Sequence, residues 1–234
     1  MEYITNGFIE ALKIIISADP EFLHTVYVSL KLALLSVVFA AILGIPTGIA
    51  LVIFRFKGRS TLITISNTLM SFPTVVVGLM VYSFLTYRGP FGHLQLLFTQ
   101  TAVVIGQVIL VIPIIVSLTV SAVNALDARI QPTVLSLGAT RQQGFRMVIS
   151  EARYGIMAAI VSAFGRVFAE VGVSMMLGGN IRHYTRTITT AIALETSKGE
   201  FAMGIALGLV LLLVAFGVNI LLNQMKRFMG YGSV

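Results

Sequence analysis

The chain contains no cysteine, which excludes disulfides and thiolate metal sites. Charge is scarce: only 11% of the 234 residues are Asp, Glu, Lys or Arg, where a soluble domain carries about a quarter. Signatures of nucleotide and hydrolytic chemistry are missing too. There is no G-x-x-x-x-G-K-[ST] loop to cradle phosphates and no G-x-S-x-G nucleophile elbow. His24, His93 and His183 stand at spacings that no metal site uses, so neither a metal nor a cofactor is expected. Apolar residues dominate instead. They make up 57% of the chain, and a mean hydropathy of +0.95 marks one integral membrane domain.

Five segments are long and apolar enough to cross a bilayer, each needing about 20 residues: roughly 24–54, 61–87, 99–123, 154–178 and 201–224. Residues 1–18 are no signal peptide, because Glu10 and Lys13 interrupt the apolar stretch. Ile4, Phe8, Leu12 and Ile15 fall on one helical face, with Asn6, Glu10, Lys13 and Ser17 opposite, which predicts an amphipathic helix at the membrane interface. Asp19-Pro20-Glu21 reads as an N-cap with proline in the first helical turn.

Charge asymmetry predicts orientation. One side carries Arg55, Lys57, Arg59, Arg129, Arg141, Arg146, Arg153, Lys226 and Arg227 against Asp127 and Glu151. The other carries Lys13, Arg88, Arg182, Arg186 and Lys198 against six acidic residues. The basic side is cytoplasmic by the positive-inside rule, which places the N-terminus outside and the C-terminus inside. This asymmetry accounts for the net charge of +7 without invoking nucleic acid.

Pro46, Pro73 and Pro113 sit inside the first three spans. Each removes a backbone hydrogen bond and bends its helix, which suits either a transport pathway or simple packing tolerance. Ala40, Gly44 and Gly48, and again Gly204 and Gly208, form small-residue stripes for close helix approach, within the chain or between two copies. Arg166 and Glu170 stand one turn apart within a span, as a self-neutralising pair or as charges facing an anion route. Lys31 lies far enough out to snorkel. The outer loop G-G-N-I-R-H-Y-T-R-T offers Asn180, Thr185 and Arg186 near the membrane mouth, either to receive an anion or as a solvated loop. Ile188, Ile192 and Glu195 predict a further short helix at the interface.

Residues 124–153 read as a docking element. Gly138 can take the left-handed conformation that ends one helix, and Thr140 with Gln143 makes a capping box that starts another. Helix, glycine bend and second helix, with four arginines, form a lever that a partner grips.

The centre of this segment resembles the cytoplasmic loop of permease subunits of binding-protein-dependent ABC importers: Glu-Ala-Ala, three residues, Gly, nine residues, Ile, one residue, Leu-Pro. Leu137-Gly138-Ala139 matches its centre, with Phe145 and Val148 at its apolar positions. Pro132-Thr133-Val134 replaces Glu-Ala-Ala, and Ser150-Glu151 replaces Leu-Pro. A second stretch, 165–187, is similar to oxyanion permeases through Arg166, Glu170, Gly172, Gly179-Asn180-Ile181 and Thr185-Arg186-Thr187. Five spans and the divergent loop look most like tungstate permeases, then molybdate and sulfate ones. The resemblance implies an all-α fold of the type I ABC importer kind: five transmembrane helices, the interfacial helix and a cytoplasmic coupling helix. It also implies a homodimer in which each copy docks one cytoplasmic ATP-binding subunit through Arg129, Leu137, Gly138, Ala139, Thr140, Gln143, Phe145 and Arg146. An extracytoplasmic oxyanion-binding protein would deliver the cargo and hold most of the selectivity. Arg166, Glu170, Asn180, Thr185 and Arg186 are its candidate pathway or gate residues. Such a chain is a passive transport subunit in a lipid membrane, not an enzyme. A secondary transporter driven by an ion gradient is the alternative, although five spans do not divide into two equal repeats.

Overall fold

A computed structural model describes residues 2–17, 19–54, 56–127, 136, 138 and 140–228. Among these residues there is helix and loop but no strand, as a bilayer requires of a chain that does not close a barrel. The helices are α1 (Glu2–Ser17), α2 (Pro20–Ile53), α3 (Arg59–Leu69), α4 (Thr74–Leu85), α5 (Gln100–Asn124), α6 (Arg141–Phe168), α7 (Gly172–Gly178), α8 (Ile188–Lys198) and α9 (Phe201–Phe228). Four of them, α2, α5, α6 and α9, are long and apolar enough to cross a membrane, and a fifth crossing follows if the bent pair α3–α4 is one span.

Helix α5 is the hub, packing against α2, α3, α4, α6 and α7. In its most apolar window 61% of residues are buried, against 11% for α9, which lies at the periphery. The α2–α5 contact is close because the small-residue stripe of α2 faces it. Ala40 is fully buried, a Cβ on Gly44 would lie 2.9 Å from Ile115 Cγ2, and one on Gly48 would lie 2.7 Å from Thr119 Cβ. The second stripe does not do the same within this chain: a Cβ on Gly208 would meet nothing within 4 Å.

Local signals set the helix starts. The Asp19 carboxylate accepts from the Phe22 amide at 3.2 Å and Pro20 opens α2. The Thr140 hydroxyl accepts from the Gln143 amide at 3.3 Å, while the Gln143 side chain accepts from the Thr140 amide at 2.8 Å. Gly138 has φ +84°, the left-handed region open to glycine.

The spans differ from expectation in two places. The stretch expected as one span over 61–87 is two helices at 103° to each other. The first ends at Leu69 and Pro73 stands at the N-cap position of the second, whereas Pro46 and Pro113 stay inside α2 and α5. Pro73 lacks an amide and pushes Phe72 out of helical geometry, so a chain with a partner for the freed groups breaks there instead of bending. The stretch expected over 154–178 starts earlier, at Arg141, and stops at Phe168; a break at 169–171 separates it from the short α7. The second half of the docking segment and the fourth span are thus one unbroken helix. Helix α1 also turns a different face inward. It packs along α9 through buried Ala11 with Ile14 and Ile15, leaving Phe8 and Leu12 exposed. Alanine permits the closer helix approach, and the larger apolar side chains remain for lipid.

Candidate functional site

The two helix breaks meet. Helices α4 and α7 run side by side, and a Cβ on Gly78 would lie 3.4 Å from the Val173 Cα. At their starts, a Cβ on Gly172 would lie 3.1 Å from Thr74 Oγ1 and 3.3 Å from Glu170 Oε1. A side chain at Gly172 would press on Thr74, Val75 and Glu170, so glycine keeps this meeting point uncrowded. Pro73 supplies no side-chain cap to α4, so that helix presents uncapped amide donors beside the junction.

Glu170 organises the junction. Its Oε2 accepts from Arg166 Nη1 at 3.0 Å, its Oε1 accepts from the Val173 amide at 3.1 Å, and its backbone carbonyl accepts from Thr189 Oγ1 at 2.7 Å. One carboxylate therefore pairs with a cation, caps α7 and ties the break to α8. The Glu170 side chain is 2% exposed and that of Arg166 is 38% exposed. The pair is thus asymmetric: the anion is sealed in and fully hydrogen-bonded, and the cation projects from the bundle with donors to spare.

Behind the junction lies a buried polar chain that sequence reading missed. Ser36 Oγ donates to Gln107 Oε1 at 2.7 Å, and Gln107 Nε2 donates to Ser174 Oγ at 3.2 Å, linking α2, α5 and α7. All three side chains are buried. The available signal was Gln107 itself, a lone amide in V-I-G-Q-V-I-L.

The other pathway candidates lie at the far end of α7, a helix of seven residues and thus about 10 Å long. Thr185 is fully buried and occupied, donating to the Gly178 carbonyl at 2.5 Å and accepting from the Ile181 amide at 3.0 Å. Asn180 takes a positive φ of 50° and its Oδ1 is buried without a partner. Arg186 Nη1 donates to Glu21 at 3.1 Å, and Arg182 binds the same carboxylate, fastening the outer loop to the start of α2. Lys31 donates to Gln100 Oε1 at 2.8 Å at the start of α5; Gln100 in turn donates to the Tyr184 carbonyl at 2.6 Å. The five candidates therefore form two groups. Arg166 and Glu170 are at the junction, and Asn180, Thr185 and Arg186 lie in the loop that follows α7.

At the opposite end of α6, Gln143 and Arg146 are exposed with Met147, while Gly144 and Val148 are buried. Val148, Ala152 and Ile156 pack against Ile49 and Val123. This leaves a polar strip on the first turns of the helix. Phe145 lies on these turns. Arg129, Leu137 and Ala139 lie outside the described residues.

A bundle with broken helices, a hub helix and a capped arm has the type I ABC importer fold, and solved structures agree. The bacterial alginate ABC transporter solved with its pentasaccharide-bound periplasmic protein matches with a TM-score of 0.79 at 18% identity, covering 100% of this chain and 91% of that one. The inward-facing MetNI methionine ABC transporter matches with a TM-score of 0.72 at 17% identity, over 88% of this chain and 94% of that one. No protein-family model matches the chain. Whole-sequence relatives are more specific. The tungstate uptake system permease protein TupB of Campylobacter jejuni is 40% identical over 227 residues, 97% of this chain and 95% of that protein. That of Peptoclostridium acidaminophilum is 38% identical, over 97% of this chain and all of that protein. The sulfate transport permease CysW of Escherichia coli is 26% identical over 90% of this chain. The chain belongs to the family of tungstate uptake system permease proteins.

Proposed function

We propose that this chain is the membrane-spanning subunit of an ATP-driven oxyanion importer, with tungstate as its first cargo and molybdate or sulfate as the next candidates. The observation that carries this reading is near-complete alignment with tungstate uptake permeases at about 40% identity. The assembly is a homodimer with two cytoplasmic ATP-binding subunits, and an extracytoplasmic binding protein delivers the anion. The N-terminus lies outside and the C-terminus inside, in keeping with the basic residues counted on each side.

In this reading the residues around Gly138 and the first turns of α6 dock the ATP-binding subunit, with Gln143 and Arg146 on the accessible strip. Arg166 lies on the anion route. Its exposed guanidinium attracts the dianion, and Glu170, already satisfied, fixes it in place while partly neutralising it, so the anion is held loosely enough to leave. Two copies would bring two such cations to one dianion. Asn180, Thr185 and Arg186 shape the outer mouth.

The test is uptake of tungstate by the reconstituted permease, ATP-binding subunit and binding protein in sealed vesicles, read by mass spectrometry of tungsten. ATP-dependent accumulation is expected, with molybdate competing. Accumulation that needs an ion gradient but no ATP would establish the secondary transporter instead. ATP-dependent uptake of sulfate without tungstate would overturn the cargo.

A further inference from the structure

Away from the junction, a cavity of about 460 Å³ opens between the start of α2, the outer loop, α8 and the start of α9. Its floor is apolar, with Phe22 and Met203, and its walls are charged. The charges divide unevenly. Glu21 serves both Arg182 and Arg186, which leaves a positive charge in surplus on that wall. The Arg186 side chain is 14% exposed, and its Nε is buried with no hydrogen-bond partner. Lys198 and Glu195 cancel in a pair at 3.0 Å. Glu200, also lining the cavity, has no ion-pair partner among the described residues, so the rim beyond α8 carries a surplus negative charge.

A cavity with a surplus guanidinium charge in one wall and a free carboxylate in another does not suit a plain anion, which the unpaired Glu200 would repel. It suits a ligand bearing both signs. The helices on either side are long and apolar enough to cross a membrane, and Leu23, Tyr27 and Phe201, near the starts of those same helices, are exposed, side chains of the kind that meet a headgroup layer. The geometry points to an amine-phosphate zwitterion as the ligand, supplied as the head group of phosphatidylethanolamine. The phosphate oxygens accept from the terminal guanidinium nitrogens of Arg182 and Arg186. The primary ammonium, with three donors, binds Glu200. The glycerol end rests on Phe22 and Met203. A quaternary choline cannot donate to Glu200, and phosphatidylglycerol leaves that carboxylate unpaired. This inference requires the chain to lie in a membrane and does not depend on which anion it carries.

The full chain is purified, stripped of lipid and returned to vesicles holding equal parts phosphatidylethanolamine, phosphatidylcholine and phosphatidylglycerol. Lipid retained after extraction is then counted by native mass spectrometry. Phosphatidylethanolamine should be enriched about tenfold or more over either competitor, the lower end of what one charge-assisted hydrogen bond supplies. Glu200→Gln should bring phosphatidylethanolamine to parity with phosphatidylcholine while raising phosphatidylglycerol. Arg186→Gln should lower all phosphate-bearing lipids together. Millimolar phosphoethanolamine in solution identifies the source. Failure to displace the retained lipid supports a membrane ligand, and displacement supports a soluble one of the same chemistry. Equal retention of the three lipids, preference for phosphatidylglycerol in the unmodified chain, or an unchanged pattern in Glu200→Gln overturns the proposal. So does a Glu200→Gln variant that retains lipid normally but loses its hold on the binding protein.

Discussion

At the scale of single residues, Glu170 concentrates the most consequences. It is buried, accepts from Arg166 and from the Val173 amide, and sits in a helix break. Glu170→Gln keeps an acceptor for Val173 and gives up only the ion pair; the expected loss is about 1 kcal/mol. Glu170→Leu removes the cap and leaves Arg166 unpaired, with an expected loss of about 2–3 kcal/mol. Thermal unfolding in detergent should rank the two variants in that order, and equal midpoints would show that the cap contributes nothing. Arg166→Gln, in the proposed importer, should cut tungstate uptake at least tenfold, with Arg166→Lys partly restoring it. Normal uptake in Arg166→Gln would take Arg166 off the route. The Arg166–Glu170 pair was legible in the sequence because residues four apart in a helix face each other. The Glu21–Arg186 pair was not. Its members are 165 positions apart, and nothing in either local sequence names the other.

At the scale of elements, the stripe on α2 and the polar chain behind the junction make opposite predictions about packing. Gly48→Leu drives a side chain into Thr119, and the expected cost is about 1–3 kcal/mol. Gly208→Leu, where a Cβ meets nothing within 4 Å, should be nearly neutral in the isolated chain. If Gly208→Leu instead disrupts assembly without changing monomer stability, that stripe serves a second copy. Gln107→Leu strands the hydroxyls of Ser36 and Ser174 and should lower stability by about 0.6–1.7 kcal/mol, the range found for hydrogen bonds between membrane helices. Helix starts were readable at this scale, because Asp19-Pro20 and Thr140…Gln143 carry their caps within four residues. The breaks were harder to read. Proline announces a lost hydrogen bond, but whether the chain bends or stops depends on what stands opposite. For Pro73 that is the Gly172 turn of another helix, about a hundred residues away in sequence. The second break has no proline at all and depends on Glu170 folding back to cap α7. The membrane class and the rough place of each apolar stretch followed from hydropathy alone, since long apolar runs leave a chain few alternatives.

At the scale of the whole molecule, the proposed coupling runs through the inner bend. Gly138 has φ +84° with open space around its missing Cβ, so Gly138→Val is opposed by backbone strain, not by a clash. The variant should insert and fold with an unfolding midpoint close to the original, yet fail to stimulate ATP hydrolysis by its partner and fail to accumulate tungstate. Full stimulation in Gly138→Val would remove the bend from the coupling path.

Helix α6 runs without interruption from Arg141 to Phe168, 28 residues and therefore about 42 Å. The Thr140 cap stands at one tip and Arg166 near the other, and the bundle grips the shaft from Val148, Ala152 and Ile156 on through Ala163, Phe164 and Val167 to Phe168. A rod fixed along one half and free at the other does not pivot. A displacement of the capped tip is passed down the shaft into its packed half, so Arg166 moves only together with the helices that surround it.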